Sequence, residues 1–398
     1  MTFLTTLVSY IVLPAFGVFA QNTSTDILQY VDQLIGSSNG GTHRQISALL
    51  IKCLNRIGNI FPGATLPYGE HFEGEKGLYL PKIGMAKAVA DTDSDSNQGG
   101  FTTDGSKITG FSSMHDSGTG GNPSLGNFAL FPFAGCLGDD VDGCTYPKKA
   151  RKTNFLNSSV KASPGFFGLQ LVSGITVDMT AAQHTSLFRF QFPATDTSGN
   201  VSSPLILMDL TDLSDSRQDN GTVTVEVETG RITGNARFLP SFGQGNYVAY
   251  FCADFSGAPI RDNGIFANSR ASTEVKTLTI SRSINGYPLP GGAFNRFQPT
   301  AANTVLARVG LSFISSNKAC LNAEAEIPSF DFAATQSAAE NTWREKISPL
   351  VVSTAGVSLS MLKNFYSGIY RTMVNPQDYT GENPLWQSDE PYFDSFYW

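Results

Sequence analysis

The chain has 398 residues, 15% of them charged, with a formal net charge of −7, 39 glycines and 29 phenylalanines. That length allows one large core or two domains. The acidic balance argues against nucleic acid as a partner, because no basic stripe could offset its phosphates, and the low charge with abundant glycine and phenylalanine points to a sheet-and-loop protein.

The first segment, Met1 to Ala20, is apolar from Leu7 onward and ends in Val18-Phe19-Ala20. It predicts a secretory signal peptide cleaved before Gln21. Pro14 interrupts it and it is short for a spanning helix; no other run is long and apolar enough to cross a bilayer, so no membrane contact is expected beyond the leader. Four N-glycosylation sequons agree with that route: Asn22-Thr23-Ser24, Asn157-Ser158-Ser159, Asn200-Val201-Ser202 and Asn220-Gly221-Thr222. In an oxidising compartment Cys136 with Cys144 would close a short loop, and Cys252 with Cys320 would tie two late strands, leaving Cys53 over. Buried free thiols are the alternative. No cysteine spacing suggests zinc.

From about Phe128 to Ile314, β-branched and aromatic residues alternate with period two between turn residues. Strands are predicted at Leu187 to Phe192, across Val223, Val225 and Val227, after the Thr229-Gly230 turn at Arg231 to Thr233, and at Tyr247 to Phe255, Val275 to Ile280 and Val305 to Ile314. Many short strands with Gly, Asn and Pro between them make an antiparallel β-sandwich, assigned to residues 21–327. After Pro328 the pattern turns helical. Phe330 to Ile347 suits a helix ending before Pro349, and Leu359 to Val374 places Leu362, Phe365, Ile369 and Met373 on one face before Pro376 stops it. The fold class is therefore mainly β, an antiparallel sandwich followed by a few helices that begin a second, helical domain at 328–398. Two helices do not bury their apolar faces alone, and the aromatic tail from Leu385 to Trp398 calls for a packing partner, so the chain reads as truncated.

Four short motifs carry the functional signal. They are Asn59-Ile60-Phe61-Pro62-Gly63-Ala64, Gln98-Gly99-Gly100, the stretch Gly110 to Gly121 with His115 among serines, Asp116 and glycines, and Tyr379-Thr380-Gly381-Glu382-Asn383-Pro384. Glycines let a backbone come close to a ligand. Together with Val31 to Gly41, these motifs resemble the secreted, calcium-dependent exo-acting α-mannosidases of glycoside hydrolase family 92. The resemblance runs from Val31 to Trp398, interrupted at 42–58 and 70–84. Those inserts read as short introns translated in frame, with tolerated surface-loop insertions as the alternative.

The resemblance implies a sandwich packed on an (α/α)6 barrel, with the active site between them. It also implies inverting hydrolysis, in which a glutamic acid protonates the leaving oxygen and an aspartate activates water from the opposite side. Calcium would grip the mannose hydroxyls. In relatives those carboxylates lie beyond this chain's last residue, so the expectation is no catalytic residue and no metal ligand here, with calcium a cofactor of the full-length enzyme. The partners implied are mannose-containing glycans, with terminal α-1,2-linked mannose removed outside the cell.

The substrate-contact candidates carried over are Asn59, Phe61, Pro62, Gly63, Gln98, Gly99, Ser112, Ser113, His115, Ser117 and Gly118. His115 leads them as a sugar or interface contact rather than a proton donor; Ser113 stands where relatives often carry a second histidine. Asp91 to Asn97 imitates the start of a calcium loop but has Ser96 at the glycine position and Thr102 at the closing glutamate, so it is expected to be a solvated acidic loop. Glu382, Asp389, Glu390 and Asp394 have no spacing that fixes a catalytic separation and receive no role. His184 reads as structural, and His43 and His71 fall in the inserts. Alone, this chain is expected not to hydrolyse mannosides. The alternative readings are a carbohydrate-binding sandwich without catalysis, or an inactive fragment.

Overall fold

The computed structural model describes residues 26–37, 61–67, 70–73, 78–81, 84–94, 99–115, 126–195, 199, 201, 203–215, 217–240, 245–282, 286, 289–375, 377–385, 387–388 and 393–394. The signal segment, the 42–58 insert with Cys53, and Asn22, Asn59, Gln98, Ser117, Gly118 and Asn200 lie outside the described residues.

The early strands are β1 Glu70–Glu73, β2 Leu78–Pro81, β3 Val89–Thr92, β4 Ile108–Ser112, β5 Met114–His115, β6 Gly126–Asn127, β7 Ala129–Phe133 and β8 Lys161–Ser163. Next come β9 Phe166–Gln170, β10 Thr176–Ala181, β11 Thr185–Gln191, β12 Leu205–Asp209, β13 Gln218–Val225, β14 Ile232–Phe238 and β15 Tyr247–Ser256. The last are β16 Ile260–Ala267, β17 Arg270–Ser272, β18 Thr277–Ser281, β19 Gly291–Phe297, β20 Thr304–Ser312, β21 Gln377–Asp378 and β22 Phe393–Asp394. Helices are α1 Lys148–Arg151, α2 Ser316–Glu326, α3 Phe332–Ile347 and α4 Leu359–Thr372.

Two antiparallel sheets form a sandwich. One has the order β18-β13-β14-β15-β20-β11-β10-β9-β8, the other β17-β16-β19-β12-β7-β4-β3. Alternation explains the inner face: Ile232, Gly234, Ala236 and Phe238 of β14 are buried while the residues between them are partly or fully exposed. Rings interdigitate across the core, Phe111 against Phe190 at 6.2 Å and Phe128 against Phe251 at 4.6 Å between centroids. Within the 70–84 insert, β1 and β2 pair antiparallel as their own two-stranded sheet, with Glu70 opposite Pro81.

Strand limits differ from the sequence reading where exposed valines mimic the pattern. Val227 is 61% exposed beyond the end of β13, and Val275 is 47% exposed before β18 begins. Helix α2 was not anticipated, because only the small residues Ala319, Cys320 and Ala323 and the amide Asn322 are buried on it. It lies close on β20, where a Cβ on Gly310 would meet the Ala319 carbonyl oxygen at 2.1 Å. Cys320 is therefore helical, correcting its expected place in a strand, and its disulfide partner is Cys252 of β15. A second disulfide joins Cys136 to Cys144.

Each long helix begins with a side-chain cap: Ser315 for α2, Asp331 for α3 and Ser358 for α4. Helix α4 buries Leu362, Tyr366, Ser367 and Tyr370, while Phe365 is 43% exposed, so its inward face is rotated from the predicted stripe. Trp343 of α3 is fully buried, stacks near Tyr370 at 4.3 Å and donates to the Thr65 carbonyl at 2.7 Å.

Candidate functional site

Strands β3 and β4 pair with Val89 opposite Ser112 and Asp91 opposite Gly110. This register brings the Asp91 carboxylate onto the Ser112 hydroxyl, which donates to it, with both residues buried. His115, on the adjoining β5, is fully buried and places Nε2 3.5 Å from the second Asp91 oxygen. Phe61 lies beside the imidazole, with centroids 6.0 Å apart, and the Lys87 ammonium sits 5.6 Å from the Phe61 ring centre.

Glycine makes the crowding feasible at two points. Gly100 has φ +88°, and a Cβ there would stand 2.9 Å from His115 Nε2 and 3.2 Å from an Asp91 oxygen. A Cβ on Gly126 would stand 2.6 Å from the Ser112 hydroxyl and 3.0 Å from each Asp91 oxygen.

The structure thus brings together Phe61, Ser112, His115 and the Gly99-Gly100 turn around Asp91. Pro62 and Gly63 are buried beneath them: a Cβ on Gly63 would meet the Ala88 carbonyl at 2.2 Å, and Ala64 and Ala88 exchange backbone hydrogen bonds at 2.8 and 2.9 Å. Ser113 faces a different set. Its carbonyl accepts from the Lys87 backbone N–H at 3.0 Å and from the Ser186 hydroxyl at 3.3 Å, and its own hydroxyl donates to the Phe128 carbonyl at 3.4 Å.

Asp91 is the residue that the sequence reading missed. Grouped with a solvated acidic loop, it is 1% exposed and the hub of the cluster. No local signal marked it, because Val89-Ala90-Asp91-Thr92 is buried throughout and shows no alternation to set strand apart from loop. Asp93 turns away to Lys152 Nζ and the Lys107 N–H, both at 2.7 Å. Burial raises its pKa, but those two donors outweigh burial and hold it below the ordinary carboxylate range. Ser94 donates to Asp104 at 2.6 Å. Burial works against Asp104 too, yet the hydroxyls and N–H groups of Ser106, Ser94 and Thr102 bring it down to about 2.

These acids diverge, and no group of three or more His, Cys, Asp or Glu is arranged to hold a metal among the described residues. Around Asp91 the donors are one carboxylate, one hydroxyl and an imidazole. A hard calcium ion takes six to eight oxygens, so this cluster does not fit it.

A buried relay connects the cluster to the helical segment. Asn127, paired with Met114 across β5 and β6, donates to the Tyr247 hydroxyl at 2.9 Å. Tyr247 packs on Phe313 at 6.2 Å, and Phe313 on Tyr379 at 5.2 Å. Glu382, given no role on its spacing, is 2% exposed. It accepts from Ser312 Oγ at 2.6 Å, the Phe313 N–H at 2.8 Å and Asn322 Nδ2 at 3.2 Å, because the turn at Tyr379–Glu382 carries it onto the end of β20. His184 joins the same junction through Nδ1 at 2.8 Å from Glu326. Burial lowers its pKa, but Glu326, Glu382 and Asp378 outweigh that and raise it above its ordinary value. An open cleft of about 380 Å³ adjoins β3, spanned by the ion pairs Lys148–Asp215 at 2.6 Å and Lys152–Asp93 at 2.7 Å.

The described residues form a β-sandwich that runs into helices, with Phe61, Ser112 and His115 meeting at Asp91 and Tyr379 packed on Phe313. Residues 77–312 match the glycosyl hydrolase family 92 N-terminal domain and residues 318–397 the family 92 catalytic domain. The chain belongs to glycoside hydrolase family 92. It is 46% identical over 376 residues to an uncharacterized secreted glycosidase of Arthroderma benhamiae, covering 94% of this chain and 44% of that protein. The fold is similar to that of the family 92 glycosyl hydrolase ccman5, with a TM-score of 0.72 at 20% identity over 93% of this chain and 45% of that one. The family 92 inverting mannosidase BT2199 of Bacteroides thetaiotaomicron superposes with a TM-score of 0.66 at 20% identity, over 89% and 40% of the two chains. This chain thus spans less than half the length of the relatives it matches. No helix among the described residues is long and apolar enough to cross a membrane.

Proposed function

We propose that this chain forms the sandwich wall and the opening helices of a secreted exo-α-mannosidase that removes terminal α-1,2-linked mannose from glycans with inversion. The carrying observation is the convergence of Phe61, Gly99-Gly100, Ser112 and His115 on Asp91, and the relay from there to Tyr379. Inverting hydrolysis needs an acid and a base about 6.5–9.5 Å apart across the sugar. Asp91 is instead committed to Ser112 and His115, so the reading gives this cluster sugar positioning, with the acid and base supplied by the rest of the whole enzyme. Calcium, in the same reading, belongs to the whole enzyme and no step is assigned to it here. The secretory route is supported by the leader-like segment and by the relative's description as secreted.

The test compares the 398-residue chain with the same chain fused to the C-terminal portion of the Arthroderma benhamiae relative. Both are incubated with an α-1,2-mannobiose, with and without a calcium chelator. Mannose release by the fusion alone, abolished by the chelator, is the expected result. Release by the unfused chain would overturn the division of labour. An inert fusion beside an active intact relative would overturn the reading itself.

A further inference from the structure

Among the described residues the nine-stranded sheet ends at β18, and this edge is the longest of the four in the sandwich. It runs five residues, against three in β8, three in β17 and four in β3. Its sequence, Thr277-Leu278-Thr279-Ile280-Ser281, is uncharged and rich in β-formers. Such an edge offers unpaired backbone groups to a second chain unless something blunts it. The flanking cations do not serve: Lys276 turns inward to the Asn263 carbonyl and side-chain oxygens at 2.7 and 2.8 Å, and Arg282 pairs with Asp219 at 3.3 Å.

Asn220 sits on the neighbouring β13, opposite Ser281, and begins the sequon Asn220-Gly221-Thr222. By the period of the strand it shares the outer face with Thr222 and Thr224, which bridge to Thr279 and Thr277 at 3.2 and 3.0 Å. Asn220 is exposed, and its carboxamide makes no hydrogen bond among the described residues. Helix α2, which covers β20 and β15 of the same sheet, makes no comparable packing on β13 or β18.

We propose that Asn220 carries an N-linked oligosaccharide that covers the free β18 edge and keeps it from pairing with another chain. The co-reactant is a lipid-linked oligosaccharide diphosphate. The side-chain nitrogen bonds to the sugar's anomeric carbon, the carbon–oxygen bond to the diphosphate breaks, the polyprenyl diphosphate leaves with that electron pair, and the amide proton passes to the transferase's base. The inference rests on the secretory route of the preceding reading, and not on hydrolysis.

The full chain is expressed with its own leader in a eukaryotic secretory host, and disulfides and glycopeptides are mapped on the same sample. Expected is an oligosaccharide on the Asn220 peptide. Secreted, disulfide-bonded protein with a bare Asn220 overturns the proposal and leaves the route standing; failure to enter the pathway overturns both. Asn220→Gln and Thr222→Ala, which each remove the sequon, are expected to shift the protein to larger species in size exclusion with light scattering. Thr222→Ser, which keeps it, and Asn157→Gln, at the exposed turn Asn157–Ser159, leave the elution unchanged. Adding Thr279→Lys to Asn220→Gln restores the original position by charging the edge. An Asn220→Gln protein that elutes as the parent does would overturn the edge-covering role.

Discussion

The Cys252–Cys320 bond crosses from the segment matching the N-terminal domain into the segment matching the catalytic domain. Replacing both cysteines with alanine removes this staple while leaving small buried side chains behind. The two bonded pairs close very different loops, with separations of 68 and 8 residues. Chain entropy then assigns about 4.4 kcal/mol to Cys252–Cys320 and about 2.5 kcal/mol to Cys136–Cys144 at 25 °C, from separations of 68 and 8. Urea unfolding under non-reducing conditions, followed by tryptophan fluorescence, measures both double variants against the parent. The expected order is a larger loss for Cys252→Ala/Cys320→Ala, by about 2 kcal/mol, and a steeper denaturant dependence because the unfolded chain expands. Native-state hydrogen exchange should show the extra opening in Ser316–Glu326. An equal or larger loss from Cys136→Ala/Cys144→Ala would refute the view that closing the long loop is what ties the two parts together.

Other outcomes follow from buried contacts. Glu382→Ala strands the Ser312 hydroxyl and the Phe313 N–H, whereas Asn322 keeps the Leu311 carbonyl at 2.9 Å. Two orphaned donors cost about 2–6 kcal/mol; an unfolding midpoint matching the parent would contradict that role. Gly100→Ala must hold alanine at φ +88° against His115, costing about 1–2 kcal/mol in backbone strain alone, and a neutral result in the same titration would disprove the close approach. His184 has a folded pKa above 6.5, so its contribution is complete below pH 6.5 and fades as pH rises through the higher folded value. The stability gap between parent and His184→Gln should therefore shrink as pH rises across the range of about 5 to 8 in which histidine titrates; a constant gap would contradict the Glu326 pairing.

Length made Thr185–Gln191, Tyr247–Ser256 and Thr304–Ser312 readable: each runs seven residues or more and keeps an alternating stretch at one end, although consecutive residues are buried elsewhere along it. Val89–Thr92 and Ile108–Ser112 were not read as strands. They are short and buried on both faces, which erases the alternation. Helix α2 escaped for a related reason: alanine, cysteine and asparagine on its buried side leave no apolar stripe. At the site, the motifs named Phe61, Ser112 and His115, but Asp91 depends on strand register, which no local spacing reveals. Glu382 likewise becomes a buried junction acid only because the segment after α4 returns to the sandwich.

The most direct measurement is kcat/KM for α-1,2-mannobiose in the fused enzyme, with and without His115→Ala, and with the unfolding midpoint recorded as a control. His115 is fully buried beside Asp91, so its loss acts by displacing the wall that positions the sugar; a misplacement of about 1 Å costs about 100-fold, and a loss of about that size is predicted while the fusion remains folded. An unchanged kcat/KM would contradict a substrate-positioning role for the Asp91–Ser112–His115 cluster.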